Sequence, residues 1–141
     1  MAEAARVEYT RSSVWTQLGW AARGNYFEDT FGGEPDLAPN SPIIDRFPAG
    51  VATSFKSLDL DAATYQNAAR LSWRINSYVN SVAGFNGYTW GGVIIKPADI
   101  DGRALNLGIP KGSGTILQNS VIEAARTRAK GLAVNLIVTP F

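Results

Sequence analysis

The 141 residues include 45% apolar and 18% charged side chains, with four Trp, five Tyr and six Phe, which supports one packed core and excludes a disordered or collagenous chain. Cys and His are both absent, excluding disulfides, thiolate or imidazole metal sites, cysteine nucleophiles, Ser-His triads and histidine acid–base catalysis. The net charge of +1 divides unevenly, with 5 basic and 8 acidic side chains in residues 1–60 (−3) and 8 and 4 in residues 61–141 (+4).

That split permits, without requiring, a carboxylate site beside a surface for a polyanion. Any chemistry must use carboxylates, amines, hydroxyls or a hard metal ion. The opening MAEAARVEY carries acids and has no apolar core of a signal sequence, and no run approaches the roughly 18 apolar residues of a membrane span. The reading is one domain over residues 1–141 with no stable membrane insertion, in which residues 1–11 precede the first patterned element and are expected to be poorly ordered.

From Ser12-Ser13 to about Phe31, Trp15, Leu18, Ala22 and Tyr26 recur at helical spacing, with Ser13 placed as a cap and Gly19 and Gly24 as points of bending or close packing. The Gly- and Pro-rich segment 31–42 ends the helix in a loop. PIIDRF (42–47) and VATSFKSLDL (51–60) have strand composition, and Pro48-Ala49-Gly50 joins them as a predicted hairpin. Asp59 or Asp61 is placed to cap a helix whose stripe of Ala68, Leu71, Ile75, Tyr78, Val79 and Val82 ends near Gly84. GFNGYTWGG (84–92) is a predicted loop, followed by strands at 93–96 and 103–109. KGSGT (111–115) makes a turn, a helix runs from Ile116 to about Lys130, and LAVNLIV (132–138) is a strand apolar enough to be covered on both faces. This order predicts an α/β fold, a mixed β-sheet flanked by helices.

The hairpin carries the most informative chemistry. Asp45 lies in an apolar run, and Ser54 and Lys56 share one face of the next strand while Phe55 takes the other. A two-residue turn at Ala49-Gly50 sets Asp45 opposite Ser54 and on the face of Lys56. An Asp, a hydroxyl and a Lys converging in this way can hold a divalent metal and orient a water for attack on a phosphodiester, with Glu28 as the second carboxylate. The plainer alternative is a cross-strand ion pair between Asp45 and Lys56 on a solvated face. Gln66 and Arg70, one turn apart, and Lys111 in the glycine-rich turn are candidate substrate contacts. The aromatics Phe85, Tyr88 and Trp90 are candidates for stacking unpaired bases, and Arg103, Arg126, Arg128 and Lys130 for backbone phosphates.

The ordered set Ala22-Arg23-Gly24, Glu28, PIIDRF, GVATSFKSLDL and Tyr65-Gln66 resembles the C-terminal nuclease toxin domains of bacterial contact-dependent growth inhibition (CdiA-type) proteins. Within them it resembles the restriction-endonuclease-like, PD-(D/E)XK group that includes transfer-RNA nucleases. The resemblance implies that Glu28, Asp45, Ser54 and Lys56 are catalytic, that Asp45 and Glu28 ligate a divalent metal, and that Ser54 stands where the pattern has a second carboxylate. It implies Mg²⁺ as cofactor, with Mn²⁺ or Zn²⁺ as alternatives. It further implies a transfer-RNA substrate, a cognate immunity protein as partner, and residence in a secreted exoprotein whose toxin is delivered to the cytoplasm of a target cell. A DNA endonuclease of the same fold, a metal-independent ribonuclease and a non-catalytic binding domain are the competing functions.

Overall fold

The structure, a computed structural model, describes residues 13–141. The expectation for residues 1–11 lies outside the described residues. Two helices, α1 (Ser13–Gln17) and α2 (Trp20–Phe31), lead through a long loop to strand β1 (Val51–Ser57). There follow α3 (Ala68–Ala83), the short strands β2 (Tyr88–Trp90) and β3 (Val93–Ile95), then β4 (Gly102–Ile109), α4 (Ile116–Gly131) and β5 (Val134–Pro140). The sheet is parallel in the order β1-β4-β5, while β2 and β3 form a separate antiparallel ribbon.

The architecture is the expected α/β sheet flanked by helices, with its core between the sheet and the α3/α4 layer. Leu71, Ile75, Val79 and Val82 of α3 and Ile122, Ala125 and Ala129 of α4 bury themselves on Leu105, Leu107, Val134 and Leu136. These are alternate residues of β4 and β5, so the opposite face of the sheet needs a cover of its own. There α2 supplies it: Phe27 stacks on Phe141 at 4.9 Å and 8° and meets Phe55 edge-on at 5.6 Å. Gly108 lies under these rings, where a Cβ would stand 2.5 Å from Phe141 and 3.0 Å from Phe27.

Four expectations are corrected. The first helix is two, because Gly19 takes an extended φ/ψ as N-cap of α2. The helix after β1 starts at Ala68, capped by Asn67 rather than by Asp59 or Asp61, after a 3-10 turn over Ala63–Gln66. The 84–92 loop contains β2, turned into β3 by Gly91 and Gly92 at φ 54° and 81°, the pair of positive φ values a two-residue hairpin needs.

The fourth concerns the expected hairpin at 42–60. Its turn forms, with Ala49 at φ 51° and Gly50 at φ 80°, and sets Arg46 opposite Thr53, but the N–H groups of both Asp45 and Arg46 donate to Thr53 O, so Asp45 does not form the expected regular pair with Ser54. The ladder is a single bridge, however, because Ile43 sits at φ 72° and cannot continue an extended strand. The ladder partner of β1 is β4, in parallel register.

Gly108→Ala should destabilise the fold by about 1–3 kcal/mol, because two buried rings must move to admit one methyl group. A fall in the urea midpoint at unchanged slope checks it; an unchanged midpoint would mean that the rings have slack.

Candidate active site

The end of β1 at Phe55, Lys56 and Ser57 forms the floor of a cleft of about 670 Å³, walled on one side by α2 through Trp20, Arg23 and Glu28 and on the other by Arg74 and Tyr78 of α3. Asp45 and Lys56 both line it. Asp45 reaches this place through main-chain pairing: its N–H donates to Thr53 O at 2.8 Å, and its Oδ2 accepts from the N–H of Phe55 at 2.7 Å. The carboxylate therefore serves as one more rung on an edge where the segment 42–47 has stopped pairing.

Burial first, and the charge of Glu28 less strongly, push the Asp45 carboxyl up from 3.8 to about 6 against the lowering effects of the Phe55 N–H, Lys56 and Arg46. Glu28 is held from beneath by Arg46, which is 5% exposed and donates from Nη1 to Glu28 Oε1 at 2.5 Å and to Asp45 O at 2.9 Å. This arginine escaped the sequence reading. Its signal was there: the parity that exposes Asp45 buries Ile44 and Arg46, and a buried guanidinium needs an acid.

The cations of the cleft are held differently. Arg23 lies over the Trp15 ring at 4.8 Å, Lys56 over Tyr78 at 5.7 Å, and Arg74 between Trp73 at 5.1 Å and Tyr78 at 5.9 Å. None of the three forms an ion pair among the described residues. Arg23 Nε is buried without a hydrogen-bond partner there. Cations fixed by rings keep their charge available to a polyanion entering from solvent.

The other sequence candidates fall elsewhere. Ser54 shares the β1 face of Lys56, as expected, but is 1% exposed and off the cleft wall, its Oγ without a partner among the described residues. Gln66 donates to Leu60 O at 2.8 Å, and Gln118 to Leu60 O and Tyr65 O at 2.8 Å each, so these amides tie down the loop before α3. Arg70 lines a neighbouring depression. Lys111 is exposed beyond β4, in the turn that leads to the Thr115 cap of α4.

The aromatic segment is packed: Phe85 is buried, Tyr88 pairs with Ser41 and Trp90 donates to Pro39 O. Arg103 is spent on Phe85 O, Arg126 on Glu123 and Leu136 O, and Arg128 on Asn80. Lys130 lines a separate depression with Arg103 and Arg126.

The donor set fits a hard cation. Asp45 and Glu28 each have one carboxylate oxygen engaged and one left over, and their mutual repulsion is what a cation relieves. Among the described residues no three Asp, Glu, His or Cys side chains cluster as metal ligands. A set of two carboxylates, completed by water and substrate oxygens, suits Mg²⁺ or Mn²⁺ better than Zn²⁺.

A helix bearing an acid, an edge carboxylate and a strand lysine around one cleft are the arrangement that the sequence resemblance implies for a restriction-endonuclease-like domain. The sequence profile of the CDI toxin restriction endonuclease-like domain family matches residues 23–139, and the chain belongs to that family. Among solved structures, a chain of a CdiA-CT/CdiI toxin and immunity complex from Yersinia pseudotuberculosis is similar with a TM-score of 0.67 and 23% identity. The match covers 88% of this chain and 99% of that one, and shows a common fold. No curated protein sequence matches the chain significantly.

Because the Asp45 carboxyl is raised by folding, it contributes stability that is full below pH 3.8 and lost as pH rises through about 6. In metal-free buffer the native protein should lose of order 2 kcal/mol relative to Asp45→Asn between pH 4 and 7. Urea unfolding of both proteins across that range checks it, and parallel profiles would contradict the burial of the charge.

Proposed function

We propose that this domain is a metal-dependent nuclease toxin that hydrolyses phosphodiester bonds at the β1 edge. The observation that carries the reading is the convergence of Asp45, Glu28 and Lys56 on one cleft whose remaining cations, Arg23 and Arg74, form no ion pair among the described residues. Asp45 and Glu28 would hold the divalent ion, which when bound supplies an activated water and charge neutralisation at the phosphorus. Lys56 would donate to the attacking water and to the phosphoryl oxygens, whose charge grows in the transition state. Arg23 and Arg74, on opposite walls, would hold the phosphates on either side of the scissile one. Tyr78, whose phenol burial keeps above its ordinary value, stays protonated and braces Lys56 and Arg74 with its ring.

Transfer RNA is the substrate carried over from the sequence resemblance, with DNA as the alternative polyanion for the same residues. Membership of the toxin family supports delivery from a secreted exoprotein into a target cell. The structural likeness to one member of a toxin and immunity complex supports a cognate immunity protein as partner. No helix among the described residues is long and apolar enough to cross a membrane.

Asp45→Ala and Lys56→Ala should each abolish cleavage of total RNA or plasmid DNA, and the double variant should lose little more than either, because parts of one catalytic unit are not additive. Independent tenfold losses that multiply would instead assign both residues to binding. Cleavage of one polymer and not the other decides the substrate.

Glu28→Gln keeps an acceptor for Arg46 and removes the anion, so the metal concentration for half-maximal rate should rise about tenfold or more, whereas Ser54→Ala should leave it within about twofold. A metal titration of the rate measures both. An unchanged midpoint in Glu28→Gln would confine Glu28 to its ion pair with Arg46.

A further inference from the structure

Beside the cleft lies a depression of about 360 Å³ lined by Thr64, Tyr65, Ala69, Arg70, Trp73 and Arg74. It adjoins the cleft, with which it shares Tyr65 and Arg74 as walls. Trp73 is 65% exposed, on a helix whose other large apolar side chains are buried or half-buried. An indole at this position exposes a large apolar surface, and its Arg74 neighbour sits over it at 5.1 Å. Arg70, one turn before Arg74, brings a second cation to the rim, and neither is in an ion pair among the described residues.

Aromatic surface interleaved with guanidinium groups, opening from a cleft that takes phosphates, matches one chemistry above others: successive nucleotides whose bases are unstacked. Of the other candidates for that role, Phe85 is buried, Tyr88 pairs with Ser41, and Trp90, 39% exposed, is tied through its indole N–H to Pro39 O and lines neither the cleft nor this depression, which leaves Trp73 as the exposed indole in this depression. Trp20 is also exposed, at 81%, but stands on the α2 wall away from this depression.

We propose that this depression is a base-binding subsite, in which an unpaired nucleobase of the substrate strand stacks on Trp73 while Arg70 and Arg74 hold the phosphates beside it. The assignment rests on the nuclease reading of the adjacent cleft and narrows it: the substrate presents an unpaired nucleotide next to the scissile bond, as a loop or single strand does and a continuous duplex does not.

The test uses the whole chain carrying Asp45→Asn to prevent turnover, with circular dichroism confirming the fold of each variant. Fluorescence anisotropy measures binding of an end-labelled single-stranded oligonucleotide and of the blunt duplex of the same sequence, in both RNA and DNA forms. Adding Trp73→Ala should weaken single-strand binding about tenfold or more and duplex binding less than about twofold, and Trp73→Phe should restore most of the loss. Adding Arg70→Ala should lower the salt dependence of single-strand binding by about one phosphate contact without removing the single-strand preference.

Equal losses for both forms, or no rescue by Phe, would overturn the stacking site. Unchanged affinity in Trp73→Ala would also overturn it and assign the indole to a protein contact. If the Asp45→Asn parent binds neither form and the native chain cleaves neither polymer, the nuclease reading itself falls. Binding by the parent with no effect at Trp73 overturns the subsite alone.

Discussion

The stacking of Phe27 and Phe141 over Gly108 seats α2 on the sheet, and the position of every group on that wall of the cleft follows from it. Neighbouring residues on a helix point about 100° apart, so burying the Phe27 ring turns Glu28 away from the aromatic cluster and toward the β1 edge. Arg23, four residues before Phe27, reaches the same cleft from one turn earlier. Trp15 completes the arrangement twice over: its ring carries the Arg23 guanidinium, and its indole N–H donates to Phe141 O at 2.8 Å. A carboxylate and a cation that must stand a few ångströms from β1 are thus fixed by apolar contacts, which are indifferent to the charge of whatever occupies the cleft.

Charge is sorted by depth. Beneath the site a buried arginine meets Glu28 in an ion pair, where removal of either partner would leave an uncompensated charge. At the surface of the site the cations rest on aromatic faces, a weaker restraint that leaves their hydrogen-bond donors unspent. Had Arg23, Lys56 and Arg74 been paired with acids, an entering phosphate would have to compete for them. Asp45 stands between the two regimes, ionised at a cost that burial and Glu28 impose together.

Much of this was legible in the sequence because it depends on local rules. Side-chain alternation places Ser54 with Lys56, a two-residue turn places Asp45 beside them, and helical periodicity finds the α3 stripe. What escaped depends on groups distant in the chain. The partner of β1 is β4, some fifty residues away, and nothing in PIIDRF announces that Ile43 will adopt a left-handed conformation and stop the ladder. Alternation and the family pattern place Ser54 with Lys56, but neither carries the depth of the strand: helices cover both faces of this sheet, and Ser54 is buried where Lys56 reaches the cleft. Gln66 is a local exception: it has the composition of a ligand-binding residue and the geometry of a loop brace, because the turn just before it aims the Leu60 and Ala62 carbonyls back at its amide.

The hydrogen bond from Phe55 N–H to Asp45 has a consequence for solubility. An outer strand with unsatisfied N–H groups is a template for pairing with a foreign strand. Here Thr53 is occupied by Arg46 and Phe55 by the Asp45 carboxylate, so the side chain proposed to serve the chemistry also plugs the edge. Alanine at position 45 opens one rung to any extended peptide nearby, while asparagine keeps an acceptor in place. An inactivated toxin made for handling in quantity is therefore a different colloid depending on which of the two is chosen, even though both are equally without the charge.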